Sequence, residues 1–591
     1  MFENIKRTSY LSSFWKKHQS FLNGETLEAE AREVPPLAEL SAFDLSHFAN
    51  TLGVYQNKYY HGEPSSFAIK YWKRKEEEWT DAVCHKIFSF NKKDHMVSFF
   101  AFVRLSKKPS KKYWNAFFPA AAEKLPESRV AVMEGIHDVF DKDDFLGLLR
   151  VLSHFDQKPP SDSSPQSFET RLFRALIANL NDFDGREMYF MLSHLNKLEV
   201  VLPSAFKTAF VSHFTGKLVD LPPEDLFDVP YQLDHLKINL FDEEIFAKRY
   251  LSLTYEYLDS SYRRHLNPES RSLYRRRLVS MAKGLARGKI IPDEHYKKRL
   301  NDALFDALPD CNDMELSRIG YSYAFQGRVP NDAFLKELAG VASKKIDVFG
   351  ALSSSNLLWA IAVFSVKRVL PPEILGLAEK LADRAASIQL NETDSHFCHL
   401  ACLRLFPEKK DSFQPFPPKG DPCEGEIALL NFFISNGYTP AATRMVIPSL
   451  GTEIPYVFSS GERTVYMTYD TRSVFAKDFE DNSLHPRGSV NLMTALLWKE
   501  RPKEPGKKFV LIRLQHTEAE ALVKSQDTKM LHMMMDRIFA LRTGVYKIRF
   551  HKDSVSSPSL RWPDAPSGMA QPETPSEKPG ALSKDHPGLG C

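Results

Sequence analysis

The chain lacks any long apolar run. In 591 residues the longest apolar stretches, Met96 to Val103 and Leu357 to Phe364, fall well short of the roughly 20 residues needed to cross a bilayer. No membrane-spanning helix is expected. Cysteine is scarce: Cys84, Cys311, Cys398, Cys402, Cys423 and Cys591 are too few for a disulfide scaffold and suit a reducing compartment with free buried thiols. Glycine is low, 26 against 37 proline, which excludes a collagen-like chain. Net charge is nearly absent, with 78 Lys and Arg against 75 Asp and Glu. No chain-wide cationic field therefore draws in nucleic acid or an anionic membrane, and such binding must come from local patches. What is present is core material, 43% hydrophobic residues. The length corresponds to roughly three or four domains, or to an extended array of smaller units.

The first residues carry Lys6, Arg7, Lys16 and Lys17 against the single acid Glu3, with hydroxyl and bulky apolar residues between them. A basic, Ser-containing, amphipathic start without an apolar h-region has the character of an organelle transit peptide. Mitochondrial import is one expectation for residues 1–42, and an ordinary exposed basic helix is the other.

Internal repetition dominates the sequence from residue 43. An aromatic and acidic opening recurs in FDLSHFANTLGVY at 43, FNKKDHMVSFFAFVRL at 90, FDKDDFLGLLRVLSHF at 140 and FDGREMYFMLSHLNKL at 183. A second phrase, with Pro just inside a helix start, recurs in VLPSAFKTAFVSHF at 201, IIPDEHYKKRLNDAL at 290, RVPNDAFLKELAGVA at 328 and VLPPEILGLAEKLAD at 369. Pro costs nothing there, because the first helical N–H groups have no intrahelical partner. The period is roughly 35 to 50 residues, the range of stacked helical hairpins. Residues 43–405 are therefore expected to form a right-handed α-solenoid of roughly eight hairpins, each burying its apolar face on its neighbours.

Residues 406–426, rich in Pro and Gly, read as a linker. Beyond it, Glu453 to Ser459, Thr464 to Tyr469 and Lys508 to Leu514 are strand-like. Ile427 to Gly437, Ser489 to Trp498 and Glu518 to Phe539 are helical in pattern. Residues 427–550 thus form a small α/β module, and 551–591, Pro-rich and poor in apolar residues, are expected to be disordered.

The module resembles the RAP domain, an RNA-binding domain abundant in apicomplexans. The strand ending in Asp470, the aromatic Phe475, Gly488 before a helix carrying Leu492, Leu496 and Leu497, and the buried strand Phe509 to Leu514 occupy the family's positions. The module is divergent: Thr471, Val474, Asn491 and Thr517 replace the family's Gly, His, basic residue and Trp. The resemblance implies a restriction-endonuclease-like topology following octotricopeptide- or heptatricopeptide-like repeats. It also implies an organellar RNA-binding protein, placed on mitochondrial ribosomal RNA as a component or assembly factor of that ribosome, with mitochondrial ribosomal proteins as neighbours.

Phosphodiester cleavage would need carboxylates converging on a hard cation. Asp470 ends one strand, but Val510-Leu511-Ile512-Arg513 offers no second acid, so no catalytic residue is expected. His396, Cys398, His399 and Cys402 have a zinc-like spacing, yet a closed four-ligand site from one helix is strained. Neither metal, cofactor nor small-molecule substrate is expected.

The candidate RNA contacts lie from Arg263 to Arg299: Arg263, Arg264, Arg271, Arg275, Arg276, Arg277, Lys283, Arg287, Lys289, Lys297, Lys298 and Arg299, against Glu269, Asp293 and Glu294. Tyr274, Leu278, Met281 and Leu285 form the core stripe of that helix, and Arg276, Lys283 and Arg287 the opposite side. Charge of one sign on stacked helices suits phosphate contact through counterion release. In the module, Arg487, Lys507, Lys508 and Arg513 join the set. The alternatives are a helical scaffold for protein–protein contact and an RNA-processing endonuclease.

Overall fold

The computed structural model describes residues 36–46, 48, 67–126, 138–160, 164, 166–238, 244–259, 265–415, 422–471, 475–478, 484–501, 507–549 and 559–560. The fold is mainly helical with a small C-terminal mixed sheet. The chain divides into two compact units, Met1–Tyr257 and Leu258–Cys591. The transit-like start, apart from residues 36–42, and the Pro-rich tail, apart from residues 559–560, lie outside the described residues.

Unit 1 contains α1 (Phe67–Lys86), α2 (Lys92–Arg104), α3 (Lys111–Glu123), α4 (Lys142–His154) and α5 (Phe168–Asn179). It continues with α6 (Gly185–Leu198), α7 (Ser204–Lys217), α8 (Pro223–His235) and α9 (Glu244–Tyr257). Alternate helices pack in succession: α2 on α4, α4 on α6 and α6 on α8, while α1, α3, α5, α7 and α9 do the same. Unit 2 opens with α10 (Pro268–Arg287), β1 (Ile290–Ile291), α11 (Glu294–Ala307), α12 (Asp313–Phe325) and α13 (Asp332–Lys344). Then come α14 (Ala351–Lys367), α15 (Pro372–Ala386) and α16 (Glu392–Leu405). Here α10, α12, α14 and α16 pack in sequence, and α13 packs on α15.

The recurrent opening seen in the sequence is a helix start. Asn91 accepts from the Asp94 N–H at 3.0 Å, and the Asn91 N–H donates to Asp94 Oδ2 at 3.2 Å. Asp141 with Asp144, Asp184 with Glu187, and Asn312 with Glu315 form the same reciprocal pair. Each cap satisfies two otherwise orphaned N–H groups and contributes about 1 kcal/mol. The residue before each cap, Phe90, Phe140, Phe183 or Cys311, is fully buried. The caps also join successive openings: Lys92 Nζ lies 2.7 Å from Asp141 and 3.4 Å from Asp144, and Lys142 Nζ 2.9 Å from Glu187. Ser355 likewise donates to Asp394 at 2.7 Å.

The rest of unit 2 is α17 (Glu424–Ser435), β2 (Ala442–Ile447), β3 (Thr452–Ser460), β4 (Arg463–Asp470), β5 (Phe475–Asp478) and β6 (Leu484–Pro486). After these come α18 (Gly488–Lys499), β7 (Lys508–Gln515), α19 (His516–Ser525), α20 (Thr528–Ala540), β8 (Gly544–Arg549) and β9 (Ser559–Leu560). The main sheet has the order β2-β3-β4-β7-β8-β9. Its inner pairs β4–β7 and β7–β8 are parallel, with Val465 opposite Val510 and Met467 opposite Ile512. Parallel neighbours need crossover helices, which α18, α19 and α20 supply. Central β7 is buried throughout except at Lys508, as a strand covered on both faces must be. Phe433, Tyr456, Met467, Ile512, Leu531 and Ile538 belong to this core.

The module is seated on the helices of its own unit. A second sheet has the order β1-β5-β6, so the turn between α10 and α11 pairs in parallel with β5. Helix α18 packs on α12 and α14. A Cβ at Gly488 would stand 1.9 Å from the Ala324 carbonyl oxygen, so the backbones meet where only glycine fits.

Candidate nucleic-acid interface

Helix α10 begins with a strong start signal. Asn267 accepts from the Ser270 N–H at 2.8 Å and Pro268 occupies the first turn. Its core stripe is as the sequence indicates: Leu278, Met281 and Leu285 are fully buried and Tyr274 nearly so. Because that stripe is locked into the packing with α12, the cations on the remaining faces are held in fixed directions.

They divide into two groups. Arg275 turns toward α12, where its Nε lies 3.3 Å from Glu315 Oε2, the carboxylate that also accepts from the Asn312 N–H at 2.9 Å. Lys297 is buried and reaches Glu294 at 2.7 Å, holding that carboxyl below its ordinary range. Arg299 reaches Asp259 at 3.5 Å. These three are therefore neutralised by acids. Arg277, Lys283, Arg287 and Lys289 are half-buried and take part in contacts within the protein. Arg271, Arg276 and Lys298 are exposed; the Arg271 guanidinium approaches the Leu266 carbonyl at 3.5 Å. Arg263 and Arg264 lie outside the described residues. Counting charge between residues 263 and 299 missed Glu315 and Asp259, since both enter from outside that stretch. The signal available for Glu315 was the capping pattern Asn312-x-x-Glu315 on the next opening.

In the C-terminal module the four candidates separate as well. Arg513 is buried at 2% exposure, and its Nε and Nη2 donate to Asp470 Oδ2 at 2.9 and 2.6 Å. Its guanidinium is committed to the interior and does not face an RNA phosphate. Asp470 is correspondingly a hydrogen-bonding residue, and a metal there would have to displace the guanidinium. Arg487 stacks its guanidinium carbon 3.3 Å from the centroid of the Phe325 ring, which makes it a docking contact between the module and α12. Lys507 and Lys508 are exposed at the start of β7.

The His and Cys residues of α16 also have internal roles. His399 Nε2 lies 2.8 Å from the Ser449 carbonyl and Nδ1 3.1 Å from that of Lys410. Burial pushes the Cys398 thiol up and the Cys402 thiol to about 12, and His396 down to about 4. Among the described residues no group of three or more His, Cys, Asp or Glu stands where a metal could be held. No described helix is long and apolar enough to cross a membrane. Compared with known proteins, the sequence matches no family model and no curated sequence.

Proposed function

We propose that this chain is a non-catalytic RNA-binding protein, an α-solenoid of helical hairpins that holds RNA phosphates on cations of α10 and α11, with the C-terminal α/β module aiding the grip. The observation that carries this is the exposure of Arg271, Arg276 and Lys298 without a paired acid among the described residues, in a stretch whose sequence holds twelve cations and three acids. A merely solvated face mixes signs, as salt-bridged helices do, whereas phosphate contact needs one sign. The succession of alternate helices within each unit supports the solenoid, since each helical pair buries its apolar face on the next. The resemblance to RAP-domain proteins supplies the finer assignment: mitochondrial ribosomal RNA as the ligand and mitochondrial ribosomal proteins as neighbours.

The test is charge reversal at Arg271→Glu, Arg276→Glu and Lys298→Glu, which face solvent and leave the core untouched. RNA retained by the purified full chain is expected to fall about tenfold or more, since three phosphate contacts are lost. Unchanged retention with an intact circular dichroism spectrum would favour a protein-binding scaffold and end this assignment.

A further inference from the structure

In unit 1, α4 and α6 lie side by side and run in the same direction. Lys142 in the first turn of α4 reaches Glu187 in the first turn of α6 at 2.9 Å, and Ser153 in the last turn of α4 meets His194 toward the end of α6. The outward stripe of α6 is Arg186, Phe190, His194 and Lys197, three or four residues apart. On α4, Arg150 stands about one turn before Ser153. Arg150, Arg186 and Lys197 are exposed and His194 is half-buried. The neighbouring acids gather at the two ends. At the start, Asp143, Asp184 and Glu187 lie near Lys142; past the far end Lys158 takes Glu199 at 3.1 Å, and Asp156 lies beyond the α4 terminus. Between them, among the described residues, neither Arg150 nor Lys197 pairs with an acid.

Ser153 decides what His194 presents. Its hydroxyl donates to the Arg150 carbonyl at 2.9 Å and lies 2.9 Å from His194 Nδ1. A hydroxyl has one proton to give, so with that proton on the carbonyl it accepts from the Nδ1–H. The neutral imidazole then carries its lone pair on Nε2, which has no partner among the described residues. Burial, reinforced by Arg150 and Lys197, holds the ring below its ordinary protonation range, so it remains an acceptor at neutral pH. The carboxylates of an acidic peptide would satisfy the two cations but, accepting only, offer Nε2 nothing. A DNA strand would likewise leave Nε2 empty. An RNA strand supplies phosphates for the cations and a 2′-hydroxyl donor for Nε2. Cations near helix C-termini also complement the dipole, a role that alone would leave binding unmoved on charge reversal.

We propose that Arg150, His194 and Lys197 form an RNA-backbone site, with the two cations on phosphates and His194 Nε2 accepting from a ribose 2′-hydroxyl. It rests on the reading above for the class of ligand, while its residues belong to the other unit. The test uses the full chain with fluorescein-labelled octauridylate and its 2′-O-methyl counterpart, which cannot donate, and reads affinity by anisotropy across salt concentrations. The unaltered chain is expected to bind the hydroxyl form about fivefold more tightly than the methylated one, and His194→Phe to abolish that difference. Arg150→Glu with Lys197→Glu, whose side chains face solvent, should weaken both oligonucleotides about tenfold and lower the magnitude of the salt slope by about 1.4. These effects should persist when Arg271, Arg276 and Lys298 are reversed, which separates this site from α10 and α11. Binding that responds to that reversal and not to Arg150 and Lys197 would overturn this site and leave the earlier assignment standing. A hydroxyl preference absent from the unaltered chain or undiminished in His194→Phe, or displacement of the RNA by equimolar octaglutamate, would each overturn the proposal as well.

Discussion

His95 is the clearest case of a residue whose chemistry is set by its surroundings. It lies fully buried among Phe90, Phe117 and Phe140, and among the described residues neither ring nitrogen has a hydrogen-bond partner. Burial, aided by Lys124 and opposed by Asp138, drives its protonation down to about 3 from the ordinary 6.5. As the pH falls below 6.5 the unfolded chain takes up a proton that the folded chain refuses, so stability is lost between 6.5 and 3. By pH 5 the loss is about 2 kcal/mol. His95→Phe is expected to lower the sensitivity of the urea midpoint to acid by that amount, and an unaltered pH profile would contradict the burial. Arg513 makes the opposite case, a buried charge that is fully paired. Arg513→Leu strands the Asp470 carboxylate and is expected to cost about 3 to 5 kcal/mol. Replacing both residues by apolar ones should restore most of that loss in the same urea titration.

At the scale of elements, the seat of α18 on α12 offers a sharp contrast between two glycines. Gly488→Ala drives a Cβ into the Ala324 carbonyl and Val363 and is expected to destabilise by about 1 to 3 kcal/mol. Gly216→Ala meets nothing within 4 Å inside α7 and should stabilise by up to about 1 kcal/mol through helix propensity. Thermal melting of both variants checks the pair. The helix starts were legible in the sequence because a cap is local: Phe140, Asp141 and Asp144 announce α4 within five positions. Strands β3, β4 and β7 were legible from their runs of Val, Tyr and Ile. Strand β2 was not: its apolar run is only Met445 to Ile447, and the alternation breaks at Thr443 and Arg444, both exposed, with Arg444 at φ 52°. The pattern from Glu518 to Phe539 reads as one helix and is two. Gln526 adopts a left-handed conformation at φ 51° and Asp527 caps α20, a restart signalled only by one Asp.

For the whole molecule, what the sequence does not convey is which charges meet. The excess of cations between residues 263 and 299 is real in composition, yet Glu315 and Asp259 remove Arg275 and Arg299 from it by long-range pairing. The cations lining a cleft between α3 and α5, spread along the sequence from Lys108 to Arg171, likewise converge only on folding. The claim that RNA is held through phosphate contacts on α10 and α11 is tested most directly by the salt dependence of binding. For a single-stranded RNA the slope of log K against log salt changes by about 0.7 per phosphate contact. Reversal of Arg271, Arg276 and Lys298 is expected to reduce the magnitude of that slope by about 2. An unchanged slope, or RNA binding that does not respond to salt at all, would contradict it.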